Sequence, residues 1–183
     1  ALTPLSEAFT QHKDADFLIR EEEETAKVLF DEALQELKLK KENFPVINII
    51  VAIIGKRREM AEVVKNDWER IFGIHCEVEA YAWGQFFPKI QEGNFQVCSV
   101  TWSSWLNDPI YTLNAFKYRR EKVNFSNWEN KEYQKYLDIA DQELDLEKRK
   151  RYLALAEEIL IKDVAVLPIF YEMQWYLKKP KRP

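Results

Sequence analysis

Val46 to Gly55 reads VINIIVAIIG. Val and Ile fill the run apart from Asn48 and Ala52, and Gly55 ends it. β-Branched side chains suit a pleated strand, and a nearly continuous apolar run suits one buried on both faces. Strands of that kind lie inside parallel sheets, where a crossover helix must lead to each neighbour. The sequence supplies the helices. Arg57 to Phe72 carries Met60, Val64, Trp68, Ile71 and Phe72 on one side, and Gly73 is placed to cap its end. His75 to Ala80 alternates Cys76, Val78 and Ala80 against His75, Glu77 and Glu79, the period of a second strand. Trp83 to Glu92 reads as a short helix that Pro88 must start or kink. After a turn at Gly93-Asn94, the run Val97-Cys98-Ser99-Val100 is a third strand. The order predicts an α/β fold with a mainly parallel βαβαβ sheet flanked by helices.

Outward from this unit the pattern turns helical. Glu21 to Leu39 has Ala26, Leu29, Phe30, Ala33, Leu34 and Leu37 at helical spacing, with Glu21 to Glu24 at the end where carboxylates are favoured. Residues 1–20 carry weak signals and read as an irregular segment. Residues 107–127 are less regular again. Glu129 to Leu144 and Leu146 to Lys162 are two helices, the second capped by Asp145. Val164 to Tyr171 reads as a final strand, with Pro168 marking an edge or bulge. The closing KKPKRP, residues 178–183, has the composition of a cut linker. Residues 1–183 are expected to form one α/β domain.

Composition narrows the function. The 183 residues are 46% hydrophobic and 32% charged, as in a globular protein with a real core. Lys and Arg number 27 against 31 Asp and Glu, a net −4 that argues against nucleic acid as a partner. With four glycines there is neither a GxGxxG nor a GxxxxGK[ST] phosphate loop. HExxH, CxxC and GxSxG are likewise missing, so no enzyme, cofactor or metal is expected. His75 shares its strand face with Glu77 and Glu79 and reads as solvated. Cys76 and Cys98 read as small buried hydrophobes. No run reaches the ~18 apolar residues of a membrane span. The chain opens on Ala1 rather than Met, which suggests a processed product or a fragment whose targeting signal lies elsewhere.

Three strand ends converge at the carboxyl edge of the sheet, where open α/β folds bind ligands. The first carries Lys56, Arg57 and Arg58. The second is followed by Tyr81 and Trp83. The third runs through WSSWLND, Trp102 to Asp108. Any one tryptophan could be core, but aromatic walls with a few polar groups and no catalytic set compose a binding site. Two other readings stay open on pattern alone. One is a cytoplasmic flavodoxin-like enzyme or regulatory domain, which would need a phosphate loop. The other is an aromatic surface for a protein partner.

Four segments in order carry a resemblance. They are FPVINIIVA with its helix and FGIHCEVEAYAW, the pair Trp83 and Trp102, WSSWLNDPIYTLNAF, and NFSNWENKEYQKYLDIADQELDLEKRKRYLALAEEILIKDVAVLPIFY. From about Glu21 onward the chain resembles the C-terminal lobe of the oligopeptide/dipeptide-type substrate-binding proteins of ABC importers, solute-binding protein family 5. The resemblance implies one lobe of a two-lobed, type II periplasmic-binding-protein-like fold. Its implied partners are a peptide or other small solute, an N-terminal lobe and the importer's permease, outside the cytoplasm, either periplasmic or membrane-anchored. Trp83 and Trp102 are similar to the family's pocket walls. The backbone of Trp102, Ser103, Ser104 and Trp105 is similar to its peptide-pairing edge. Arg57 falls where a cation can meet a ligand carboxylate. Asn107 and Asp108 complete the candidate ligand-binding set. One position departs. The family commonly has Asp three residues after the strand-end Trp, paired with a free α-amino group, and this chain has Trp105. Losing such a bond, worth about 1.5–3 kcal/mol, implies weaker recognition of a free N-terminus. The implied ligand is then a peptide, a blocked or unusual peptide, or another solute.

Overall fold

A computed structural model describes residues 22–106, 108–169 and 177. The elements are α1 (Glu23–Glu36), β1 (Ile47–Ala52), α2 (Arg57–Phe72), β2 (Cys76–Tyr81), α3 (Trp83–Gln91), β3 (Val97–Ser99), α4 (Pro109–Asn114), α5 (Lys131–Gln142) and α6 (Leu146–Lys162). The βαβαβ unit is present, with strand order β2-β1-β3 and both pairings parallel. Ile49 stands opposite Val78 on one side and Val97 on the other. The most apolar run takes the centre because only a central strand hides both faces. Ile49, Ile50, Val51 and Ala52 are all buried. Ile49 and Val51 face Ala61, Val64 and Trp68 of α2, while Ile50 and Ala52 face Phe86 and Ile90 of α3.

Local chemistry sets the C-terminal end of α2. Gly73 takes φ +67°, a left-handed conformation that costs glycine little, and its N–H closes on Glu69 O at 3.0 Å. The Glu69 carboxylate then accepts the Cys76 N–H at 3.0 Å, which joins the end of α2 to the start of β2. Pro88 lies inside α3 rather than starting it. Cys76 is fully buried and Cys98 half-buried, with burial pushing the Cys98 thiol up to about 11.

Helices α4, α5 and α6 form a separate apolar cluster of Leu113, Tyr133, Leu137, Ala140, Leu153, Ala156 and Leu160. The Tyr133 hydroxyl, wholly buried, donates to Leu113 O at 2.6 Å and ties α5 to α4. Residues 118–128 wrap around the buried Asn124. Its amide donates to Tyr118 O at 3.0 Å and Trp128 O at 2.9 Å, and its Oδ1 accepts from Ser126 Oγ. Phe125 packs edge-on to Phe87 at 6.2 Å, so this loop also covers the α3 side of the sheet. Asp145 caps α6 as its sequence predicts, accepting from Glu147 N and Lys148 N.

Two expectations need correction. The region 107–127 contains the short helix α4. The final strand predicted over Val164 to Tyr171 is not a strand through 164–169, and residues 170 and 171 lie outside the described residues. Val164 takes φ +53°, with Val164 N bonded to Ile161 O and Ala165 N to Leu160 O. This is a helix-ending motif that turns the chain away from extension. Pro168 further lacks a ladder N–H. Residues 1–20, 178–183 and Asn107 also lie outside the described residues.

Candidate ligand-binding site

A groove of about 400 Å³ opens at the carboxyl ends of the three strands. Ile54, Arg57, Trp83, Phe86, Ser99, Val100 and Thr101 line it. Each wall follows from a strand ending. Beyond β1, Ile53 N still pairs with Tyr81 O at 2.8 Å, and the chain then turns sharply through Gly55 at φ +57°. That turn makes Arg57 the first residue of α2, next to the groove. Ala82 separates β2 from α3, so Trp83 opens α3. Its indole stacks on Phe87 at 5.3 Å and tilts against Phe86 at 5.9 Å, yet stays 51% exposed. β3 ends at Ser99 and delivers Val100 and Thr101.

The groove's polar centre is a contact between two of these walls. Arg57 Nη2 donates to Thr101 Oγ1 at 2.7 Å. A guanidinium carries five N–H donors, so this bond fixes its direction and leaves donors available. Arg57 and Trp83, both expected from the sequence, are thus brought together. Thr101, Ile54, Phe86, Ser99 and Val100 were not expected. Phe86 is three positions after Trp83, the spacing of one helix face, and could have been found that way.

The rest of the WSSWLND segment is divided. Trp102 turns toward α4. Its Nε1–H donates to Thr112 Oγ1 at 3.2 Å, and its ring tilts over Tyr111 at 6.2 Å, leaving it 41% exposed. Ser103 and Ser104 are exposed, and Ser104 Oγ donates to Leu106 O. Trp105 stands out into solvent at 87% exposure. Asp108 is engaged within the fold. One oxygen caps α4 by accepting from Ile110 N at 3.0 Å, and both meet Arg149 Nη2, at 3.1 and 2.9 Å. Tyr81 lies under α3, with the Lys89 ammonium 4.7 Å from its ring centre.

Comparison with known proteins agrees with this architecture. The model of the bacterial extracellular solute-binding proteins, family 5 (middle region), matches residues 2–124. The oligopeptide-binding protein OppA of Bacillus subtilis is 29% identical over 177 residues, covering 96% of this chain and 32% of its own. A di/tripeptide-binding protein of Pseudomonas aeruginosa is 32% identical over 113 residues, 60% of this chain and 21% of its own. Among solved structures, a periplasmic oligopeptide-binding protein of Borrelia burgdorferi superposes with TM-score 0.74 at 24% identity, over 86% of this chain and 30% of that one. Haemophilus influenzae OppA, solved with the peptide RPPGFSPFR, gives 0.73 at 25% identity, over 81% and 28%. The chain spans about a third of the length of the first curated relatives it matches. Its fold is that of a type II periplasmic-binding-protein lobe. The chain belongs to the bacterial extracellular solute-binding proteins of family 5.

Proposed function

We propose that this chain is one lobe of an extracytoplasmic receptor that captures peptides, or a related small solute, for an ABC importer. The observation that carries the reading is the groove itself. An oriented guanidinium, an exposed indole and a strand-end segment meet at the carboxyl edge of a parallel sheet, where a ligand can contact all three. Two of the proteins it is similar to are named for binding oligopeptides and di/tripeptides. A groove open to solvent on one side leaves part of a ligand uncovered, so a second lobe closing over it supplies the remaining contacts. Trp83 and Trp102 act as apolar walls, and the exposed backbone from Trp102 to Trp105 offers an edge to an extended ligand. The lobe works outside the cytoplasm, delivers its solute to the permease and acts as a receptor rather than a catalyst.

The test is mass spectrometry of the small molecules that co-purify with the full-length receptor, released by denaturation. A ladder of short peptides is the expected result. A single non-peptide compound would keep the receptor reading and overturn the peptide assignment. Recovery of nothing, with no saturable binding of any short peptide, would overturn the receptor reading.

A further inference from the structure

Trp83 lines the groove from a helix end that its own sequence supports poorly. It is the first residue of α3 and follows Ala82, whose methyl group cannot cap a helix. Gly84 comes next, the residue least suited to a helix after proline. Pro88 lies inside the helix and has no N–H to donate to Gly84 O, so the first turn is not tied to the second at that point. Tertiary packing must therefore hold the indole. Phe87 covers one side of it, stacked at 5.3 Å and 23°.

Phe87 is braced in turn from a distant part of the chain. Phe125 meets it in a T-shaped arrangement, at 6.2 Å and 83°, one of the favoured geometries for a ring pair. Phe125 follows the buried Asn124, whose amide gathers the carbonyls of Tyr118 and Trp128. Trp128 donates Nε1–H to Asp163 Oδ2 at 3.1 Å and packs edge-on to Tyr133 at 4.9 Å. Contacts thus run unbroken from α5 and the end of α6, through residues 124–128, to Phe87 and the groove wall.

We propose that Phe125 is a positioning residue for ligand binding: through Phe87 it holds the Trp83 indole in the orientation that receives the solute. The proposal rests on the reading of this groove as a receptor site, and it adds a residue that governs affinity without being one of the described residues lining the groove. An aromatic wall that is fixed before the ligand arrives loses little freedom on binding, whereas a loose one must be ordered at the expense of affinity. Removing the Phe125 ring opens space beside Phe87. Phe87 can then swing away from the indole, and the weak start of α3 offers nothing local to replace that support.

The experiment uses the full-length receptor, a pool of random tetrapeptides as the probe, and fluorine NMR of protein labelled with 5-fluorotryptophan. The Trp83 resonance is the one lost in Trp83→Phe, and that of Trp68, packed on the opposite face of the sheet, is assigned in the same way. Phe125→Leu should move or broaden the Trp83 resonance and leave that of Trp68 in place. At a temperature where the variant is fully folded, it should weaken tetrapeptide binding about threefold to tenfold, the effect of one aromatic contact. Phe125→Tyr keeps the ring and should restore most of the affinity. In a Trp83→Ala background Phe125→Leu should weaken binding no further, because the side chain it positions is gone. If Phe125→Leu fails to fold, Phe125→Met, which keeps the volume without the ring, carries the test. Unchanged affinity overturns the proposal and leaves the receptor reading standing, as does weaker binding with an unmoved Trp83 resonance. The same loss of affinity with and without Trp83 also overturns it. A parent receptor that binds no tetrapeptide overturns the peptide reading, and the proposal then stands or falls on the Trp83 resonance.

Discussion

Arg149 reaches back 41 positions in sequence to hold both carboxylate oxygens of Asp108, at 3.1 and 2.9 Å. Asp108 begins α4, Arg149 rides on α6, and the Arg149 Nε–H donates to Ala140 O of α5 at 3.1 Å. One guanidinium thus ties α5 and α6 to the start of α4. The pair is only partly exposed, so solvent screens it less than a surface bridge.

This knot makes a graded prediction. Asp108→Ala removes a helix cap and an ion pair together and should cost about 2 kcal/mol of stability. Asp108→Asn keeps an acceptor for Ile110 N and should cost about 1 kcal/mol. Urea unfolding of the two variants measures the difference. Equal losses would mean that the cap contributes nothing.

Acid should weaken the fold in a way that passes through Glu69. Its carboxyl is held below the usual range, chiefly by the Cys76 N–H, with the charges of Lys65 and His75 adding and desolvation opposing. A group whose folded pKa is depressed contributes stability that is complete above its unfolded value, about 4.3 for Glu, and that is lost as pH falls through the folded value. Asp145, lowered chiefly by the Lys148 N–H, acts in the same sense. Glu69→Gln keeps the acceptor and removes the titration. Its unfolding free energy should fall less steeply than the parent's as pH drops from about 5 to about 3. Identical slopes would assign the acid sensitivity elsewhere.

The thiols should be quiet. Burial lifts the Cys98 thiol to about 11, and Cys76 is also raised, by desolvation first and the nearby Glu69 charge second. Alkylation needs the thiolate. At pH 8, iodoacetamide should modify Cys98 in the folded lobe on the order of a hundredfold more slowly than a free cysteine. Denaturation should abolish the protection of both. Fast native labelling of Cys98 would contradict its burial.

Trp83 in the groove and Trp102 beside α4 should differ in how they divide stability from binding. Trp83 is half exposed and its losses on truncation are mainly ring contacts with Phe86 and Phe87. Trp83→Ala should lower stability by about 1 kcal/mol while weakening ligand binding in the full-length receptor. Trp102 also anchors α4 through Thr112. Trp102→Ala should cost about 2 kcal/mol of stability along with binding, and Trp102→Phe about 1. Paired denaturation and titration measurements give both numbers. A Trp83 variant that unfolds as readily as Trp102→Ala would make Trp83 a structural residue.

Much of this fold was legible because it is written at short range. Ile47–Ala52 declares its burial in its own side chains, the apolar stripe from Met60 to Phe72 has helical period, and Gly73 and Asp145 end or begin helices by chemistry within four residues. Arg57 and Trp83 were readable for the same reason, because each opens the helix that follows a strand. What escaped was set at long range. Nothing local says that Arg149 claims Asp108, that Trp102 turns to Thr112, or that Asn124 gathers the carbonyls of Tyr118 and Trp128. The predicted final strand failed because its Val and Ile content suits a strand, while its fate depends on a pairing partner outside its own sequence. Residue type alone cannot supply one.

β1 has one further consequence. Every loop of the groove springs from a strand that either is β1 or is hydrogen-bonded to it, and Ile49 to Ala52 have almost no contact with water. Amide exchange there should therefore require whole-domain opening, whereas the residues that line the groove sit at a strand end or within five positions past one. Substitutions in those loops can accumulate without disturbing the frame that aims them. Ligand choice and fold are then heritable almost independently. A lineage can exchange a residue as exposed as Trp105 and remain the same machine.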